Sequence, residues 1–440
     1  MAFLEICGFW QHRTDLKTIA STLASWAYMF VFLCAAAVGQ GSMYSRVVPY
    51  PTGTNGYEEY LQAADIASGP EFDLYDTWLV GLRSGSLTNA EKPFDVDRTD
   101  PDLAVRRKWA ERFRRCCSLI SNGNRKPVSD PRGAAGAGGG FPEYRAFKSL
   151  AKIEEATAHV LFADGQTGDA IRHLEDGLIF GSKIGAARLM GRMQGIACDA
   201  IAFDELDDHW AQLCLSDAQE LEVFFGRRLN SPPTLIESIP AQRRVSHAAV
   251  IQLFSDSADF ARTWGLGENQ QGLMASLNKL GPFDAEATQA STLAAVDGFY
   301  DSMIALLNGP ESAWLSVREV DGGDQAQDAS LPLGTRLAGL VAPIMSRVLV
   351  REAQDRTRMR LAYLTAKALE YRWLKGHLPD RIEDFTTAEE RRDQTSGRAF
   401  RFKRDGPWFR ITREGRDALG VVTLFQPPAP ADPGSGPIRP

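Results

Sequence analysis

The sequence predicts a mainly α-helical protein, built of helical hairpins in a solenoid-like stack and closed by a small C-terminal antiparallel β-hairpin module. Three observations predict it. From Tyr144 onward, helix-sized apolar periodicities follow one another, separated by Gly or Pro. No comparable run of alternating apolar residues occurs before residue 398. The segment FRFKRDGPWFRI, residues 400–411, then alternates cleanly about Asp405-Gly406, a strong hairpin signal.

Taken in order, the chain opens with a leader over 1–18 and an apolar segment over 19–38. Between Lys17 and Arg46 lie 28 consecutive uncharged residues. As a helix, the 20 residues from Ile19 to Val38 would be about 30 Å long, the thickness of a bilayer core. Arg13 and Lys17 precede the segment, whereas Glu58, Glu59, Asp65, Glu71, Asp73 and Asp76 follow it, so the leader is expected in the cytoplasm. Ala35, Ala37 and Gly39 also fit the small-x-small pattern of a cleaved signal. Retained anchor and removed signal both stay open, and either places the bulk of the chain outside the cytoplasm.

An N-terminal helical segment is expected over 46–120, with helices at Tyr57–Ala67 and Asp102–Ile120. A Gly-rich linker is expected over 121–140. The main helical-hairpin domain runs from 141 to 375, with helices at Tyr144–Ala163, Thr167–Ile184, Arg188–Phe203, Ser216–Arg228, Ala241–Trp264, Ala287–Leu307 and Leu337–Lys375. The pair FADGQTGDAIRHLEDGLIFGSKIG resembles a tetratricopeptide-type hairpin, with a small residue at the turn and an alanine beyond it. One such unit is visible. A module over 376–425 and a Pro-rich disordered tail over 426–440 complete the chain, with a third strand expected at Gly420–Phe425.

The C-terminal pattern ALEYRWLKGHLPDRIEDF, followed by DQTSGRAFRFKRDGPWFRI, resembles the C-terminal part of the major pseudopilins of type II secretion, in which a long helix leads into a short sheet. With NGYEEYLQAADIA and the helical hairpins, the chain is similar over most of its length to a group of uncharacterised bacterial membrane-anchored helical proteins that end in the same module. The most specific pieces are Asn55–Ala64, Leu378–Phe385 and Asp393–Phe402. The resemblance implies a membrane-anchored helical protein and no particular activity. Two departures stand out: Asp393-Gln394 where Asp-Pro is usual, and Arg413, Glu414, Gly415, Arg416, Asp417 in place of a calcium-holding loop.

The formal charge of −7 gives no electrostatic match for nucleic acid, and no nucleic-acid partner is expected. The cysteines show no CxxC spacing, and no GxSxG, SxxK, P-loop or dinucleotide fingerprint is present, so neither cofactor nor metal is expected. The candidate chemistry is confined to histidines and nearby carboxylates. His159 and His173 lie on the two arms of one hairpin and are able to face each other. The run Asp204, Glu205, Asp207, Asp208, His209 offers a metal or acid–base site using His209 with Asp204 or Asp208, or simply a solvated acidic helix end. The leading expectation is an interaction or assembly scaffold whose partners are other envelope proteins. The alternative is an extracytoplasmic hydrolase with a site between helices around His159, His173 or His209.

Overall fold

The computed structural model describes residues 42–48, 50–68, 72, 101–132, 141, 143–185, 188–231, 235–255, 285–316, 330–341, 345–406 and 408–413. The apolar segment 19–38, the third strand at 420–425 and the tail at 426–440 lie outside them. Among the described residues, no helix is long and apolar enough to cross a membrane.

The chain is mainly helical, with one two-stranded antiparallel sheet, near the C-terminus, among the described residues. After a single turn at Met43–Val47, the helices are α1 (Gly56–Ala67), α2 (Pro101–Arg112), α3 (Arg114–Asn124), α4 (Glu143–Ala163), α5 (Thr167–Gly185), α6 (Leu189–His209), α7 (Leu215–Asn230), α8 (Ile239–Ser255), α9 (Ala285–Leu307), α10 (Leu333–Val341) and α11 (Met345–Lys375). Strands β1 (Arg401–Asp405) and β2 (Trp408–Thr412) follow.

One expected helix is broken in two, and a second is described in two pieces. The Asp102–Ile120 helix rewinds at Phe113, whose φ of −104° and ψ of 15° leave the helical region. The break swings α3 against α1 while α2 lies on α4, so that Trp109, Phe113, Cys116 and Ile120 are all buried. The expected Leu337–Lys375 helix is described as α10 and α11, residues 342–344 lying outside the described residues. The α6 helix instead runs further than expected, to His209.

Of the linker expected over 121–140, residues 121–132 are described, and they are structured. Residues 121–124 finish α3, and residues 125–132 are pinned to α1: the Asn55 Nδ2 donates to the Ser129 carbonyl at 2.7 Å, and the Gly56 N–H donates to the Pro127 carbonyl at 2.8 Å. The Lys126 ammonium pairs with Glu59 at 2.6 Å. Charged and amide side chains thus turn a composition that reads as flexible into a strap over α1.

The α4–α5 hairpin turns at Gly165, where a φ of 73° favours the one residue without a Cβ. The next contact is closer still. A Cβ on Gly195 of α6 would meet the Gly181 carbonyl oxygen of α5 at 2.2 Å, so these helices pack backbone against backbone.

Among the described residues, three apolar clusters form the interior. The first joins α1–α4 through Tyr57, Tyr60, Trp109 and Phe147. The second joins α4–α7, α11 and the C-terminal module through Phe203, Trp210, Phe225, Leu364, Phe400, Phe409 and Ile411. The third joins α8–α10 and the start of α11. In the hairpin, Phe402 pairs with Ile411 and Arg404 with Phe409. Asp405 is the last paired residue of β1, so the turn falls one residue later than the Asp-Gly dipeptide suggests. Phe400, Phe409 and Ile411 are buried and Phe402 is half-buried against Phe409 and Phe385, while Arg401, Lys403 and Arg410 face solvent.

Candidate functional site

Three neighbouring helices carry the histidines and glutamates with chemical potential. On α4 stand Glu154, Glu155 and His159; on α5, His173; on α6, Glu205 and His209. The α6 pair is spaced i, i+4, so both side chains leave one face of the helix.

The structure brings His159 and His209 together, but on Glu205. His159 Nδ1 lies 2.9 Å from Glu205 Oε1, and His209 Nε2 lies 2.7 Å from the same oxygen. The two imidazoles meet edge to face, with centroids 5.6 Å apart, and Phe162 stacks on His209 at 4.2 Å, fixing its ring plane. Glu205 Oε2 faces Arg106 Nη1 at 4.0 Å. That guanidinium is itself buried and held by Glu155 at 2.6 Å and Asp102 at 3.1 Å. Burial alone would raise the Glu205 carboxyl, but its hydrogen bonds and charge interactions with the two imidazoles outweigh it and hold the group at about 2.

The acidic residues expected beside His209 do not join it. Asp204 is exposed and, with Asp207, pairs with Arg358 on α11 at 2.6 and 2.8 Å. Asp208 is exposed. Both lie on helix positions turned away from His209, and Glu205, one turn before it, takes the place assigned to them.

His159 and His173 do not share a partner. His173 Nδ1 lies 2.6 Å from Glu154 Oε2, with Cys117 of α3 beside the pair. Burial pushes the His173 imidazole down, but the hydrogen bond and charge of Glu154 prevail and raise it above its usual range. Burial, with the charge of Glu154, pushes the Cys117 thiol far up, away from a reactive thiolate. The described cysteines are all free: Cys116, Cys117 and Cys198 are buried and Cys214 is exposed.

A second polar assembly has no local signature in the sequence. Arg192 of α6, buried, donates from Nε to Glu352 at 2.6 Å and from Nη2 to Asp355 at 2.7 Å, both on α11. Asp199 lies between Arg192 and Arg228, at 3.7 and 3.2 Å. Arg356 continues the chain to Glu352 and Glu311, and Arg360 also pairs with Glu311. Burial pushes the Asp199 carboxyl up to about 7 against the pull of Arg228 and Arg192.

The C-terminal module is fastened by its own polar knot. Asp393 accepts hydrogen bonds from the Thr395 N–H, the Thr395 hydroxyl and the Ser396 N–H, and the Arg413 Nε lies 2.6 Å from its Oδ2. The Thr395 and Thr357 hydroxyls are 3.0 Å apart, joining the knot to α11. Gln394, where the pseudopilin-type pattern has proline, accepts from Arg360 at 2.8 Å.

Comparison of the chain with protein-family models, curated proteins and solved structures gave no match.

Proposed function

We propose that this protein is a membrane-anchored, extracytoplasmic helical scaffold for interaction or assembly, held by residues 19–38 or exported after their removal. The observation that carries the reading is the use of interior charge. The chain from Arg228 through Asp199, Arg192, Glu352 and Arg356 to Glu311 links α6, α7, α11 and the turn at 311–316 by ion pairs up to 160 or so positions apart in sequence. Buried pairs of this kind add little net stability but fix which surfaces meet, a property suited to a frame. The C-terminal module is locked to that frame through Asp393 and Thr357, and offers partners the exposed Arg401, Lys403 and Arg410 on a surface of fixed shape. Other envelope proteins with acidic faces are the fitting partners.

The test is site-specific photo-crosslinking from position 403 of the full chain in its own membrane. Discrete adducts with an envelope protein, lost when Arg401, Lys403 and Arg410 are reversed in charge, are expected. No adduct, with the chain recovered soluble in the cytoplasm, would contradict the reading.

A second reading, an extracytoplasmic hydrolase, is favoured by one observation: His159 and His209 converge on Glu205. Hydrolytic activity abolished by Glu205→Gln, with helicity and melting unchanged, would select it over the scaffold.

A further inference from the structure

We propose that His159, Glu205 and His209 bind one zinc-class divalent cation, with a fourth coordination position left for water or an external ligand. The inference stands independently of the scaffold reading. His159 Nδ1, His209 Nε2 and a Glu205 oxygen all lie within 4.8 Å of one another, and two of the three separations are 2.7 and 2.9 Å. A tetrahedral zinc with bonds of about 2.0–2.1 Å needs donors about 3.3 Å apart, so the two Glu205 separations would open by about 0.4–0.6 Å, with the imidazole nitrogens within 4.8 Å of each other. Two imidazoles and a carboxylate are a donor set that zinc accepts, and three protein ligands leave its fourth position free.

The surroundings suit a divalent charge. Carboxylates gather beside the site: Asp102, Glu155 and Glu205 surround the single guanidinium of Arg106. Both imidazole nitrogens are turned to one Glu205 oxygen, the arrangement that a shared cation would use. Arg106 lies on the Oε2 side of Glu205, at 4.0 Å, and Oε1 is the oxygen turned to both imidazoles. The Phe162 stack holds His209 in place, and the partly exposed His159 gives the ion a way in from solvent.

The neighbouring Cys117, Glu154 and His173 also converge, but there the thiol must lose its proton inside an apolar setting before it can ligate. The His159 group carries no such requirement.

The experiment is zinc titration of the purified full chain in mild detergent, with cobalt as a spectroscopic probe and ¹⁵N chemical shifts of the histidines as the wild-type readout. One equivalent of zinc is expected to bind, moving the His159 Nδ1 and His209 Nε2 resonances together, and cobalt is expected to give ligand-field bands without a thiolate charge-transfer band. His159→Gln, at the half-exposed ligand, should weaken zinc by more than the roughly 10- to 100-fold typical of losing an outer partner, while Arg106→Gln should fall within that range. Glu205→Gln is the second ligand variant, should His159→Gln disturb the fold. No binding to the wild-type chain would overturn the proposal. So would unmoved His159 and His209 resonances, or a thiolate band that disappears in Cys117→Ser, which would place the ion on the other group.

Discussion

At the scale of single residues, the histidines are governed by glutamates, and their titration reports it. His173 is raised above its ordinary value of 6.5 because the hydrogen bond and charge of Glu154 outweigh burial, with Asp176 and Asp169 adding smaller pulls the same way. A raised folded value makes the protonated imidazole a source of stability that is fully present below the unfolded value and lost as pH rises through the folded one. The melting deficit of His173→Gln should therefore be larger at about pH 6 than at about pH 9. Glu154→Gln should bring the His173 titration, followed by NMR, back toward or below 6.5; an unmoved titration would contradict the assigned cause. Arg192 makes a second residue-scale case. Its removal strands Glu352 and Asp355 in the interior, so Arg192→Met should cost about 3–5 kcal/mol in denaturant unfolding. The deficit should grow with pH, because carboxylates that lose their counter-ion hold their protons longer in the folded variant.

At the scale of elements, helix packing and the hairpin set the next two expectations. The backbone of α5 occupies the space where a Cβ on Gly195 would go, so Gly195→Ala should destabilise by about 1–3 kcal/mol, well beyond the propensity gain of alanine. In the module, Phe409 is buried in the second cluster, and Phe409→Ala should cost about 3–5 kcal/mol and open the segment after residue 395 to protease before the helices. Equal protection of that segment in the variant would show that the alternating face is not what anchors it. Most helices were legible because their apolar stripes recur at helical spacing, and the hairpin because Phe400, Phe402, Phe409 and Ile411 alternate about a turn. The break at Phe113 was less so, because it follows from where α3 finds its partner helix. Glu205 was also readable in principle, since only it lies one helical turn before His209, whereas Asp208 is adjacent and points elsewhere. The Arg192 assembly was not, because α6 and α11 meet only in the folded chain and nothing near Arg192 marks Glu352 as its partner.

At the scale of the whole molecule, we propose that an apolar segment at 19–38 carries a helical frame whose interior charges lock distant helices and whose C-terminal module is tied to α11, and that this frame lies outside the cytoplasmic membrane. Cys214 supplies the reporter: it is the exposed thiol among the described cysteines, whereas Cys116, Cys117 and Cys198 are buried. The most direct test is labelling of intact spheroplasts with a membrane-impermeant maleimide. The account predicts that the full chain is labelled without lysis, that Cys214→Ser removes the label, and that the labelled chain sediments with membranes. Labelling of Cys214 only after lysis would place the frame in the cytoplasm and contradict the claim.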